Sequence, residues 1–282
     1  MGTVLSVKYV GKKSEKLEKK VRDFIKKFEK DVSFHKKESY IGTLNSRDEK
    51  TDMDVPHYIC RMIEESLEYG RKTEGAFDIT YKTPLKTTFD SRNSFSTSFN
   101  FDDIVTDCKN NTVSFKNKNI IIDMGGIAKG YSLQFTKDIL MDSNIKNFIV
   151  NYGGDIFICG KKGEKPWKIG IKNPDKPSEF LKVFEVENQG CTAIATSGDY
   201  ERYIEIDGEK HSHIINPETG RSVKDAHSVT VKAKNPVMAD MLATAISVRH
   251  DDKDFIEKNV DNFSVKVYTL SGRQKLWREY GD

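Results

Sequence analysis

From Phe148 onward the chain reads as short apolar runs broken by glycine-rich turns: Phe148-Ile-Val150, Asp155-Ile-Phe-Ile158 and Trp167-Lys-Ile-Gly-Ile171. Runs this short, bounded by turn residues, are strands in closely spaced succession. Tyr203-Ile-Glu-Ile206, the Asp207-Gly208 pair and the run His211–Ile215 read as a hairpin, and Val229-Thr-Val231 as a further strand. Helical periods are mixed with these strands. After Ser14, Leu17, Val21, Phe24, Ile25 and Phe28 recur at spacings of three and four. Pro56 opens and Gly75 closes a second helix, whose buried stripe is Ile59, Met62, Ile63 and Leu67. Regular βαβ units are few. The expected fold class is therefore α+β, with mixed, largely antiparallel sheets flanked by helices in a single domain spanning residues 1–282.

Smaller elements complete this expectation. Val4–Val10 alternates as a strand, and residues 33–46 read as a loop carrying Ser39, Asn45 and Ser46. Asn119–Asp123 reads as a short buried strand running into Gly125-Gly126, followed by a helix through Tyr131, Phe135, Ile139 and Leu140. Met238–Val248 is a helix, residues 251–259 another, and Phe263–Leu270 a closing strand. Residues 86–101, rich in Ser, Thr, Asn and Phe without periodicity, read as a long exposed loop.

Composition narrows the function. The chain carries 46 Lys and Arg against 43 Asp and Glu, a net charge of +3, too balanced for nucleic acid to be the partner. The lysine-rich run Lys12–Lys37 interleaves Glu and Asp and reads as the wet face of one helix. No stretch of about 18 apolar residues marks a membrane span. The four cysteines, Cys60, Cys108, Cys159 and Cys191, form no C-x-x-C pair and no zinc spacing, so buried free thiols are expected, with a disulfide that sequence does not assign as the alternative.

The chemistry-bearing residues cluster in a few places. Asp123-Met-Gly-Gly-Ile-Ala-Lys-Gly130 puts an acid before two glycines and a helix N-terminus, a geometry that aims amides at an anion, with Lys129 adding positive charge. It is neither a Walker A loop nor a dinucleotide fingerprint, and a tight turn needing small residues would look the same. Asp240 and Thr244 lie four apart on a helix, so their oxygens share a face. A carboxylate with a hydroxyl suits Mg²⁺, which prefers oxygen and leans on substrate phosphates; a Thr bonding back to its helix beside a solvated Asp is the plainer reading. His213 sits on a strand ending at Pro217, where proton transfer or phosphate contact competes with a structural role. His211 falls on the same side by alternation, but no third ligand makes a zinc site. Thr196-Ser-Gly-Asp-Tyr200 lacks the G-x-S-x-G elbow and reads as turn chemistry or ligand contact through Ser197. Asp78, in Gly75-Ala-Phe-Asp78 just past a helix end, takes a ring N–H or caps the next turn.

In this order the pieces resemble the ApbE-type flavin transferases, the FAD:protein FMN transferases. The motifs are Met1-Gly-Thr3, Ser39-x-Ile-x-x-Leu-Asn45, Gly75-Ala-Phe-Asp-Ile-Thr80, Asp123-Met-Gly-Gly-Ile-Ala-Lys-Gly130, Asn151-x-Gly-Gly-Asp155, Ala195-Thr-Ser-Gly-Asp-Tyr200, Ser212-His-Ile-Ile-Asn-Pro217 and Ala239-Asp-x-x-Ala-Thr244. They run nearly the length of the chain. The resemblance implies an enzyme that cleaves FAD with Mg²⁺ and passes FMN to a Thr or Ser hydroxyl of a client flavoprotein, releasing AMP. It puts the metal ligands on Asp240, Thr244 and the backbone oxygen of Gly126. It puts FAD contacts on Met1, Ala76, Phe77, Asp78, Asp123, Lys129 and Ile214, and makes His213 the expected base, with Asp240 or Asp123 as the other candidates. The chain has His35 where the family often carries a tyrosine that packs on the flavin. That departure keeps a Mg²⁺-dependent FAD pyrophosphatase, giving FMN and AMP, as the alternative. Family members are commonly exported and lipid-anchored. The expected location is extracytoplasmic, with membrane contact only through a lipid outside this chain, and a cytoplasmic location is the alternative.

Overall fold

The computed structural model describes residues 3–48, 52–83, 101–176, 178–186, 190–198, 203–206, 209–272 and 274–281. The expected loop over 86–101 lies outside the described residues apart from Phe101, which starts a short 3₁₀ turn. In chain order the elements are β1 (Leu5–Tyr9), α1 (Glu15–Asp31), α2 (Tyr40–Asn45), β2 (Met53–Asp54), α3 (His57–Lys72), β3 (Ile104–Asp107), β4 (Thr112–Phe115) and α4 (Ala128–Asp142). Then follow β5 (Phe148–Tyr152), β6 (Asp155–Cys159), β7 (Lys161–Lys162), β8 (Lys165–Pro166), β9 (Lys168–Lys172), β10 (Phe180–Glu185) and β11 (Cys191–Ser197). The last are β12 (Tyr203–Ile206), β13 (Glu209–Ser212), β14 (Ser228–Ala233), α5 (Pro236–Val248), α6 (Lys253–Phe263), β15 (Lys266–Ser271) and β16 (Leu276–Tyr280). The α+β class is as expected.

The chain divides into two compact units. The first comprises Met1–Lys26, Ala128–Ile214 and Val223–Asp282; the second comprises Lys27–Ile127 and Ile215–Ser222.

The first unit is built on a seven-stranded antiparallel sheet, ordered β1-β5-β6-β11-β14-β15-β16. Helix α5 packs on β11 and β14, and α4 packs on α5, β5 and β6. Helix α5 is apolar nearly all round and buried at most positions, as a helix enclosed by neighbours must be. Its start is fixed by Asn235, whose side chain accepts from the amides of Val237 (2.8 Å) and Met238 (3.1 Å), and by Pro236 in the first turn. The closing strand expected over Phe263–Leu270 starts later, as β15 from Lys266, because Phe263 ends α6 and Ser264 caps it; an edge strand absent from the sequence reading, β16, follows.

The second unit holds α3 against a three-stranded antiparallel sheet ordered β2-β4-β3. Two expectations are corrected here. Residues 33–46 are not all loop: Tyr40–Asn45 is helical, because the Ser39 hydroxyl caps it by accepting from the Gly42 amide at 2.8 Å. Gly42 is required, since a Cβ there would lie 2.0 Å from the Lys36 carbonyl oxygen. Asn119–Asp123 is buried at Ile120 and Ile122 but is not a strand. Side chains replace a neighbouring strand: Asn45 donates to the Ile122 carbonyl and accepts from its amide, both at 2.8 Å, and the Thr83 hydroxyl accepts from the Ile121 amide at 3.0 Å.

The expectation of free thiols is also corrected. Cys60 on α3 is bonded to Cys108, and Cys159 to Cys191. The second bridge joins directly opposed residues of β6 and β11. Strand register and helix packing bring together cysteines 32 and 48 residues apart, which spacing in the sequence does not disclose.

Candidate functional site

In the first unit the decisive feature is a buried ionic cluster on α4, α5 and β6. Asp240 is 1% exposed on α5 and Asp155 is 1% exposed at the start of β6. The Lys129 ammonium, from the first turn of α4, is paired with Asp155 Oδ2 and lies 3.1 Å from Asp240 Oδ1. The remaining carboxylate oxygens accept backbone amides: Gly130 N–H reaches Asp240 Oδ2 at 2.7 Å, and Thr196 N–H reaches Asp155 Oδ1 at 2.9 Å. Glycine at 130 is what lets α4 approach so closely. A Cβ there would sit 2.7 Å from both the Pro236 carbonyl oxygen and Val237 Cα, and 3.1 Å from Asp240 Cβ.

The electrostatics follow from this burial. Desolvation pushes the Asp240 carboxyl well above the usual carboxylate range; Lys129 and the Gly130 amide oppose the shift without cancelling it, and the Asp155 charge adds to it. Burial also works against the Lys129 ammonium, but the two carboxylates outweigh it and hold its proton above the usual lysine range. Asp240 is thus not the solvated acid of the plainer sequence reading. Thr244 does bond back to its helix, its hydroxyl donating to the Asp240 carbonyl at 3.2 Å.

Other expected residues of this unit lie elsewhere. Ser197 ends β11 and is buried. His213 is exposed at a bend one residue past β13, not on the strand, because the hairpin ladder ends at Ser212. Ile214 is buried against Val223, Ala226 and Val248, with its amide bonded to the Ser212 hydroxyl at 3.1 Å. Met1, and the side chain of His211, lie outside the described residues.

In the second unit Asp123 is the centre of a polar knot. Its Oδ2 accepts from the Tyr81 hydroxyl at 2.9 Å and pairs with Lys82 at 2.7 Å, while Oδ1 accepts from the Gly125 amide at 2.9 Å. Burial and the adjacent Asp123 charge raise the Tyr81 hydroxyl far above the ordinary tyrosine range. Lys82 also stands 4.0 Å from the centre of the Phe34 ring, which lies perpendicular to the ring of exposed His35 with centres 5.3 Å apart. Ala76 and Phe77 are each 3% exposed. Asp78 accepts from both the amide and the hydroxyl of Thr80 at 2.7 Å, and burial raises its carboxyl despite these bonds. Gly126 is half-buried in the turn before α4. An open cleft of about 630 Å³ beside Cys108, lined by His57, Arg61 and Glu64, contains none of these residues.

Asp155, Tyr81 and Lys82 were not singled out from the sequence. Asp155 stood in the Asn-x-Gly-Gly-Asp motif, but nothing in a sequence tells a buried acid from a turn residue.

The donor set at Asp240 fits a hard divalent cation. It offers a carboxylate and a hydroxyl, both oxygen, and the carboxylate is already arranged around a positive charge. Among the described residues no three His, Cys, Asp or Glu side chains gather into a metal cage, so such an ion needs oxygen from a ligand or from water.

Fold and cluster together define an α+β protein with a buried carboxylate–ammonium site at a helix crossing. The chain belongs to the ApbE family, whose model matches residues 1–265. It is 30% identical over 275 residues to the FAD:protein FMN transferase of Vibrio cholerae, covering 90% of this chain and 80% of the relative. It is 29% identical over 289 residues to that of Haemophilus influenzae, covering 92% and 82%. Among solved structures, the ApbE protein of Thermotoga maritima superposes with a TM-score of 0.84 at 27% identity, covering 99% of this chain and 94% of that one. The flavin transferase ApbE of Vibrio cholerae gives 0.81 at 25% identity, covering 99% and 94%.

Proposed function

We propose that this protein is a FAD:protein FMN transferase: it cleaves FAD, passes FMN to a Thr or Ser hydroxyl of a client flavoprotein and releases AMP, with Mg²⁺ bound. The observation that carries the reading is the Asp240 carboxylate, buried at the α4–α5 crossing and ringed by cationic and N–H donors, in a chain of the ApbE family. Asp240 and Thr244 would hold Mg²⁺, which would supply charge neutralisation at the pyrophosphate. The protein's own groups do the rest. Gly130 N–H fixes one Asp240 oxygen, which leaves the other to face a cation. The preceding turn and helix N-terminus present amides to a phosphate. His213, exposed past β13, takes the proton of the incoming hydroxyl. Asp78, Asp123, Ala76, Phe77, Ser197 and Ile214 belong to the FAD contacts.

One observation favours a second reading, FAD pyrophosphatase. His35 is exposed and its ring stands perpendicular to that of Phe34, a smaller and more polar surface than tyrosine for a flavin ring to lie on. The two disulfides support an oxidising, extracytoplasmic location.

The test is intact mass of a client domain incubated with the protein, FAD and Mg²⁺, with AMP followed in parallel. Added FMN mass matched by AMP is expected, and chelation or Asp240→Ala should abolish both. AMP released without added mass, for a client that a related transferase modifies, supports the pyrophosphatase. Transfer that persists in Asp240→Ala overturns the metal role.

A further inference from the structure

Two fully buried carboxylates in one cluster, Asp155 and Asp240, share a single ammonium. With both carboxyls ionised, Asp155, Asp240 and Lys129 sum to a net charge of −1, which is unsuited to receiving a pyrophosphate. The sharing is unequal. Lys129 is in tight contact with Asp155 and stands at 3.1 Å from Asp240, so the Asp240 contact is the weaker of the two. Each carboxylate keeps a backbone N–H partner of its own, Gly130 for Asp240 and Thr196 for Asp155, so neither depends on the lysine for its position. The Lys129 side chain is 22% exposed along its length, while its ammonium is enclosed by the two carboxylates.

We propose that Lys129 is a built-in counter-ion that fills the cation place at Asp240 in the metal-free protein, and that Asp155 is the positioning residue that retains it when a divalent ion takes Asp240. The inference rests on the metal reading of Asp240 given above. A divalent ion at Asp240, with Lys129 kept on Asp155, turns the cluster from −1 to +1. The same exchange that admits the metal thus makes the site attractive to an anionic ligand. Metal and FAD then bind with positive coupling, and the coupling is reciprocal.

The test is Mn²⁺ binding to the FAD-free protein by titration calorimetry, with thermal unfolding in the same buffers. Lys129→Met removes the resident cation and should tighten Mn²⁺ binding at least tenfold over wild type, with a larger Mn²⁺-induced rise in melting temperature. Asp240→Asn should abolish that binding. Removing the lysine strands two buried carboxylates, so Lys129→Met with Asp155→Asn serves as a charge-balanced partner. It should bind Mn²⁺ at least tenfold more tightly than Asp155→Asn alone, where the lysine has only Asp240 to hold. Loss of binding in Asp240→Asn without tightening in either lysine variant overturns the counter-ion role and leaves the metal site standing. Binding that is indifferent to Asp240→Asn overturns the metal reading itself.

Discussion

Gly130→Ala separates local helix preference from tertiary packing, because the two predict opposite signs. Gly130 lies in the first turn of α4, and in an isolated helix alanine there would stabilise by about 1 kcal/mol. The fold reverses this. The new methyl would stand 2.7 Å from Pro236 O and Val237 Cα, both backbone atoms of α5 that cannot turn aside. Forcing the two helices apart costs about 1–3 kcal/mol. It also stretches the 2.7 Å bond from Gly130 N–H to Asp240. A hydrogen bond to a charged group is worth about 1.5–3 kcal/mol. The losses exceed the helix gain and leave a net destabilisation of about 1.5–5 kcal/mol, a fall in melting temperature on the order of 3–8 °C. Thermal unfolding followed by circular dichroism measures it, and Mn²⁺ calorimetry reports whether Asp240 has lost its amide. A variant that melts at or above wild type would show that α4 and α5 do not approach as described.

Four further outcomes are expected. Asn45→Ala removes both partners of the buried Ile122 backbone, at about 1–3 kcal/mol for each orphaned group, and urea unfolding should show the loss; an unchanged midpoint refutes the bridging role. Asp78→Asn keeps an acceptor for Thr80 but removes a buried charge. Because burial raises the Asp78 carboxyl, stability contributed by its protonation is present in acid and lost as pH rises through its folded value. The variant should therefore melt above wild type near pH 8 and equal it near pH 4, while binding FAD less tightly; equal melting at both pH values refutes the shift. Thiol titration of the denatured, unreduced protein should find no free cysteine. Opening the 48-residue Cys60–Cys108 link by Cys60→Ser with Cys108→Ser should cost up to about 4 kcal/mol in urea unfolding, and an unmoved midpoint would deny the bridge.

Helices α1, α3, α4 and α5 were legible in the sequence from their apolar pattern and stops: Leu17 to Phe28 for α1, Pro56 and Gly75 around α3, Tyr131 to Leu140 for α4, and Met238 to Val248 for α5, whose start at Pro236 was not read. The apolar runs of β5, β6, β9 and β14 were legible for the same reason. The ordered motifs also declared the family, and with it Asp240, Thr244 and Lys129. Local pattern ends there. That Asn45 would serve as a strand's edge for Ile122, 77 residues away, depends on a meeting no window of sequence contains. Cys159 and Cys191 face each other only because the register of β6 on β11 puts them so. Asp155 becomes a site residue only when β6 delivers it, desolvated, to an ammonium on α4, and Gly130 is indispensable only because α5 crosses there. The sequence by itself determined the longer helices and the apolar strands, the family and the residue types of the site. Tertiary structure alone decided which charges are buried together, because desolvation and pairing belong to neighbours in space, not to neighbours in the chain.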